Sequence, residues 1–184
     1  MILYLVRHPT PLDVLGVCYG RREVAIDAAG VPAVAKSVRA RIGAAADRCR
    51  IFSSPSLRCM LLARAMSARR EPVVAEELRE MDFGSWEGRR WDELPREQLD
   101  AWARDVWRYR PGGAESAALV AERWFRWSAG LRERSGIAVV VTHAGLIRVA
   151  LKCHGTLGTD EFAQHPIDYG SVHRIDLAVA RATA

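Results

Sequence analysis

Short, continuous apolar runs alternate along the chain with longer periodic or Ala-rich stretches. Ile2-Leu3-Tyr4-Leu5-Val6 and Ile137-Ala138-Val139-Val140-Val141-Thr142 are almost wholly apolar and rich in β-branched residues. Runs of that kind read as strands buried on both faces. Residues 49–53 read as another strand, Pro72-Val73-Val74-Ala75 as a short one, and residues 172–179 as the last. Between them, residues 31–46, 56–68, 115–134 and 145–153 read as helices. Gly30 precedes the first, and Ser54-Pro55 opens the second, proline being suited to a first turn. This alternation predicts an α/β fold, a three-layer α/β/α sandwich around a mostly parallel central sheet.

One stretch interrupts the rhythm. Residues 91–109, rich in Trp, Arg and Asp, read as a helical excursion that Pro111-Gly112-Gly113 ends. With no internal repeat, low-complexity tract or long linker, a single domain over residues 1–184 is expected, the excursion at about 91–113 lying over the active site.

Composition narrows the classes. The 184 residues are 49% hydrophobic and 27% charged, enough for one sizeable core. No apolar run approaches the ~20 residues that span a bilayer. Met1 leads straight into the first strand, which Arg7-His8 interrupts too early for a signal peptide. A cytoplasmic protein without membrane contact is expected. The four Cys lack CxxC or zinc-site spacing and are expected as free thiols, with no metal and no cofactor. The net charge of +5 is spread rather than massed. It favours anionic partners in general, while no motif points to nucleic acid.

The chemistry gathers at strand ends. His8, with Arg7 beside it, ends the first run, and His143 ends the second. In open α/β sheets that edge is where ligands bind. A lone His there is an ordinary hydrogen-bonded residue; two delivered to one rim with an Arg point to chemistry on an anion. Arg58 lies near the start of the helix after the second strand, where unpaired first-turn amides attract anions. Ala144-Gly145, after His143, lets backbone N–H groups approach a phosphate. Glu80 sits in Leu78-Arg79-Glu80-Met81-Asp82-Phe83-Gly84-Ser85-Trp86-Glu87-Gly88, a stretch in which three acids, two of them after Glu80, are candidate proton donors. Together these groups fit phosphoryl transfer through a phosphohistidine. A neutral His attacks phosphorus, Arg forks hold the equatorial oxygens, and a carboxylic acid protonates the leaving alkoxide.

Arg7-His8, Arg58 within Ser53–Arg58, Glu80 within Leu78–Gly88 and His143 within Thr142-His143-Ala144-Gly145 resemble the histidine phosphatase superfamily, with its phosphoglycerate-mutase-like fold. Order and spacing match over nearly the whole chain. Gly112-Gly113, Glu115-Ser116 and Arg123 add to the resemblance. It implies that His8 is the phosphorylated nucleophile. It makes Arg7, Arg58 and His143 the phosphate pocket, and Glu80 the proton donor that later activates water, with no metal. There are departures. Pro9 stands where the family usually has Gly, removing a backbone donor. Asp13 or Val14 stands at the usual Asn, Ser56 and Leu62 flank Arg58, and Ala114 splits the Gly-Glu-Ser segment.

The substrate is read from two further features. The family's mutases carry a longer basic insertion between the acid and the second His, and this chain is short there. Val17-Cys18-Tyr19-Gly20-Arg21 resembles the α-ribazole phosphatases, which act on a nucleotide-like intermediate of cobalamin biosynthesis. Tyr19, Gly20, Arg21 and Ala144 therefore join Arg7 and Arg58 as candidate substrate-binding residues. Trp102, Trp107 and Tyr109 offer faces for a flat base, and at helical spacing they equally read as core. The expectation is a metal-independent phosphatase of small phosphorylated substrates, with α-ribazole 5′-phosphate first among them. A broad-specificity phosphatase, a phosphoglycerate mutase and a phosphoprotein- or anion-binding module are the alternatives.

Overall fold

β4 (Ile137–Thr142) runs through the middle of a five-stranded sheet, between β1 (Ile2–Arg7) and β2 (Arg50–Ser53). The structure is a computed structural model, and it describes residues 1–67, 70–132, 134–158, 161–162 and 164–178. β3 (Val73–Val74) adds in parallel to β2 at one edge, and β5 (Val172–Asp176) adds antiparallel to β1 at the other. The central position of β4 follows from its sequence, since every residue from Ala138 to Thr142 is buried. Val73 and Val74 are exposed, as an edge strand allows.

Alternation along the strands sorts the core into two layers. Leu3, Leu5, Ala138 and Val140 face α4 (Ala117–Arg132) and α5 (Ala144–Cys153). Val6, Ile51, Val139 and Val141 face α1 (Val31–Ile42) and α2 (Leu57–Met66). Helices thus cover both faces of a mostly parallel sheet, as the alternation of elements predicts.

Several boundaries differ from those read along the chain, each for a local reason. The first helix stops at Ile42, because Gly43 takes φ 76, and a short 3-10 turn follows. α4 begins at Ala117 because the Ser116 hydroxyl accepts the Leu119 N–H at 3.3 Å and caps it. Only Arg96–Arg104 of the excursion is α-helix (α3), entered from Pro95. β5 ends at Asp176. Residues 68, 133 and 179, at or near the predicted ends of three elements, lie outside the described residues.

The sheet's pairing continues one residue beyond the strands and so builds the rim. The His8 N–H donates to the Thr142 carbonyl at 3.0 Å, and the Ser54 N–H donates to the Val141 carbonyl at 3.0 Å. β1, β2 and β4 therefore deliver His8, Ser54 and His143 side by side.

Candidate active site

The His8 and His143 rings meet edge to face, with centroids 5.2 Å apart. His8 Nδ1 lies 2.7 Å from the Pro9 carbonyl. A carbonyl only accepts, so Nδ1 carries the proton and Nε2 keeps its lone pair. Burial, then the Arg58 guanidinium, hold the His8 imidazole down at about 3, against a raising contribution from the Pro9 carbonyl. His8 is therefore neutral at physiological pH, its Nε2 lone pair available for attack on an electrophile. Pro9, the departure from the family pattern, is thus the residue that sets the tautomer.

His143 carries the opposite tautomer. Arg58 Nη2 donates to its Nδ1 at 3.2 Å, so Nε2 bears the proton and donates to Ser54 Oγ at 2.8 Å. Burial, then the neighbouring His8 and Arg58, hold His143 well below the usual imidazole range.

Arg58 is fully buried and fixed on three sides. Besides His143, it donates to the carbonyls of Arg22 at 2.8 Å and Gly20 at 2.7 Å. Gly20 has φ 41, and a Cβ there would run into the Glu87 carboxylate. This is why a glycine presents that carbonyl. Arg7 donates to the Ile167 carbonyl at 2.5 Å and stacks 3.6 Å over the Tyr169 ring. The Nε–H groups of Arg7 and Arg58 are buried with no partner among the described residues, an uncommon state that a bound oxyanion would relieve.

Of the three acids in the 78–88 stretch, Glu80 lines both cavities described below, and Asp82 and Glu87 line neither of those two. Its carboxylate accepts the N–H groups of Met81 at 2.9 Å and of Gly145, at the start of α5, at 3.2 Å. Asp82 accepts the Gly84 N–H at 2.8 Å, and Glu87 accepts the N–H groups of Arg21 and Phe83 at 2.8 and 3.1 Å. These two acids shape the loop. Behind it, Glu115 holds two guanidinium groups: Arg123 at 2.8 Å and Arg21 at 3.1 Å. Both arginines also donate to the Glu80 carbonyl, at 3.2 and 3.1 Å.

A cavity of about 500 Å³ opens beside His8, with Arg7, Tyr19, Gly20, Glu80, Phe83 and Tyr169 in its wall. His8, Arg58 and His143 are not among its lining residues and are almost wholly buried. Tyr19 and Tyr169 join hydroxyl to hydroxyl at 3.1 Å and flank the His8 ring, their centroids 6.4 and 5.6 Å from it. A smaller cavity of about 280 Å³ has Glu80, Trp102, Ala144, Gly145, Arg148 and Phe162 in its wall.

Arg7, His8, Arg58, Glu80 and His143 thus come to one rim. Tyr19 and Gly20 line the larger cavity and Ala144 the smaller, whereas Arg21 lines neither and braces the Glu80 loop. One first-turn amide of α2 is already taken: the Glu23 carboxylate accepts the Leu57 N–H at 3.1 Å. In the excursion, Trp102 packs among Phe83, Trp86 and Trp91. Tyr109 packs on Trp86, and Trp107 on Phe162. The sequence marks Ser54 only as the opening of a helix and gives no sign of its bond to His143. Its place just past a strand is its signal, and Tyr169, far along the chain, carries none.

Cys59 lies 3.5 Å from His143 Nε2, and burial pushes its thiol well up; burial likewise pushes Cys18 up to about 12. Neither is a thiolate nucleophile. Among the described residues, no three His, Cys, Asp or Glu side chains group as a metal site, and no helix is long and apolar enough to cross a membrane.

Among solved structures, the chain is similar to TTHB049 from Thermus thermophilus. The identity is 30%, over 96% of this chain and 94% of that chain, with a TM-score of 0.74. It is similar to a phosphoglycerate mutase from the same organism, with 30% identity, coverage of 96% and 94%, and a TM-score of 0.73. It is also similar to the α-ribazole phosphatase from Shigella flexneri, with 25% identity, coverage of 96% and 90%, and a TM-score of 0.76. A comparison with curated proteins gives no match. The match to branch 1 of the histidine phosphatase superfamily runs over residues 3–183, through β1, the Glu80 loop and β4 alike, and the chain belongs to that superfamily.

Proposed function

We propose that this protein is a metal-independent phosphomonoester hydrolase that works through a phosphohistidine on His8. The observation that carries the reading is the state of His8: neutral, its proton fixed on Nδ1 by Pro9, its Nε2 lone pair free. In the first half-reaction, a bond forms between His8 Nε2 and phosphorus while the phosphorus–oxygen bond to the leaving group breaks. Glu80, as the carboxylic acid, gives its proton to the departing oxygen. In the second, Glu80 takes a proton from water, the water oxygen bonds to phosphorus, and the nitrogen–phosphorus bond breaks to release inorganic phosphate. Arg7 and Arg58 hold the equatorial oxygens and offset the charge that a metal would otherwise meet.

For the substrate, we propose α-ribazole 5′-phosphate. Cys18–Arg21 and the similarity to the Shigella flexneri α-ribazole phosphatase support it. The similarity to the phosphoglycerate mutase keeps a second reading in play. Rapid alkaline quenching with labelled substrate tests the intermediate: label is expected on wild-type His8 and absent from His8→Ala. Activity lost to EDTA and restored by a divalent ion would contradict the metal-free reading. The substrate is tested by kcat/KM for α-ribazole 5′-phosphate against ribose 5-phosphate and 3-phosphoglycerate. A preference of about tenfold, or ~1.4 kcal/mol, is expected. Equal turnover of ribose 5-phosphate would instead describe a broad-specificity phosphatase.

A further inference from the structure

Beyond its phosphate end, the larger cavity has a character of its own. Arg7 is the only cation among the described residues that line it, and Arg7 belongs to the phosphate. Asp13 and Glu80 line it as well. The Arg90 guanidinium, which comes close to Gly16 in the same loop, is held by both oxygens of Asp92 at 3.1 and 3.0 Å. A second anion on the substrate would enter without a counter-ion and meet Asp13. Asp13 is itself exposed, so its repulsion of a second anion is that of a surface charge, modest and partly screened, and rejection of this kind adds to specificity.

The remaining wall is largely apolar, with Val14, Leu15, Val17, Phe83 and Trp91. Leu15 is 93% exposed, a large apolar side chain with almost none of the protein packed on it. The turn that carries it passes through Asp13 at φ 55, a left-handed conformation that Asp tolerates better than most residues. At about 500 Å³ the cavity falls in the range of roughly 300–1,000 Å³ typical of drug-sized ligands. That is more room than a three-carbon leaving group fills.

We propose that this cavity holds the leaving group and selects one that is uncharged and has an apolar face, Asp13 disfavouring a second anion and Leu15 packing on the apolar face. The inference rests on the phosphatase reading above and assigns specificity to two residues outside the phosphate pocket.

Two matched pairs of phosphate esters test it. Glycerol 3-phosphate and 3-phosphoglycerate both release a primary alkoxide on three carbons and differ in the carboxylate. Wild-type kcat/KM is expected to favour glycerol 3-phosphate by about threefold, and Asp13→Asn is expected to narrow the ratio. 2-Naphthyl and phenyl phosphate differ in apolar area. Leu15→Ser is expected to lower the naphthyl-to-phenyl ratio by roughly threefold. Equal use of the two three-carbon esters, or a ratio unmoved by Asp13→Asn, overturns the role of Asp13; a naphthyl-to-phenyl ratio unmoved by Leu15→Ser overturns that of Leu15. A protein that hydrolyses phenyl phosphate yet shows neither discrimination overturns this inference alone. One that hydrolyses neither these four esters nor α-ribazole 5′-phosphate overturns the phosphatase reading with it.

Discussion

The backbone N–H of Gly145 donates to Oε2 of Glu80 at 3.2 Å, tying the start of α5 to the one acid of its loop that faces the cavity. A Cβ at position 145 would collide with that carboxylate. The glycine is there because the carboxylate comes so close, and its own φ is unexceptional.

Gly145→Ala is therefore expected to displace Glu80 without touching the phosphate pocket. General acids contribute about 10²–10⁴-fold, and most where the leaving group is poor. kcat/KM for an alkyl phosphate should fall by about 10²-fold, and far less for p-nitrophenyl phosphate, whose phenolate leaves with little help. Glu80→Gln should show the same contrast. Equal losses on both substrates would mean that Glu80 only holds the loop, and Asp82 and Glu87 would then need testing as the donor.

Arg58→Lys should fail although it keeps the charge. Arg58 is fully buried and forks between the Gly20 and Arg22 carbonyls and His143 Nδ1. A single ammonium cannot reproduce that fork. The expected loss is about 10²-fold in kcat/KM, with about 2 kcal/mol of stability in urea unfolding as buried acceptors lose their donors.

Stability should fall on the acid side with His8 and His143 both contributing, since burial holds each imidazole below its ordinary value. The native His8 imidazole sits at about 3, whereas an unfolded histidine titrates near 6.5. Between those values the unfolded chain binds a proton that the native state refuses. The contribution is fully present above the unfolded value and is lost as pH falls from there towards about 3. Removing His8 should flatten the slope by up to about 1.4 kcal/mol per pH unit. Urea unfolding of wild type and His8→Gln at about pH 6 and about pH 4.5 checks this; parallel slopes would contradict it.

Tyr169 should govern access to His8, the proposed nucleophile. It stacks on Arg7, bonds to the Tyr19 hydroxyl and flanks His8, which is 1% exposed. Tyr169→Ala is expected to speed modification of His8 by diethyl pyrocarbonate, read by peptide mass mapping. Tyr169→Phe keeps the ring and should lie between the two. An unchanged rate in Tyr169→Ala would show that the phenol does not shield the imidazole.

The rim's location is written in the sequence because it depends on local pattern. Continuous apolar runs make β1 and β4 buried parallel strands, and a His placed directly after each run arrives at the carboxyl edge of the sheet wherever the helices go. Arg58 and Glu80 are legible through the motifs around them. Helix ends are less legible, because single contacts decide them. Ser116 caps α4 while Glu115, one residue earlier, turns to Arg21 and Arg123. The tertiary structure decided which groups are already occupied. Glu23 fills one first-turn amide of α2, and Arg21 goes to the Glu80 loop instead of the cavity. Tyr169 comes back from 161 residues further on to lie against His8, its hydroxyl bonded to that of Tyr19, 150 residues away in sequence. Periodicity and turn residues act over a few positions and are therefore carried by the sequence itself. Hydrogen bonds between distant side chains depend on how β1, β2, β4 and α5 stack, and that is settled only when the core closes around them.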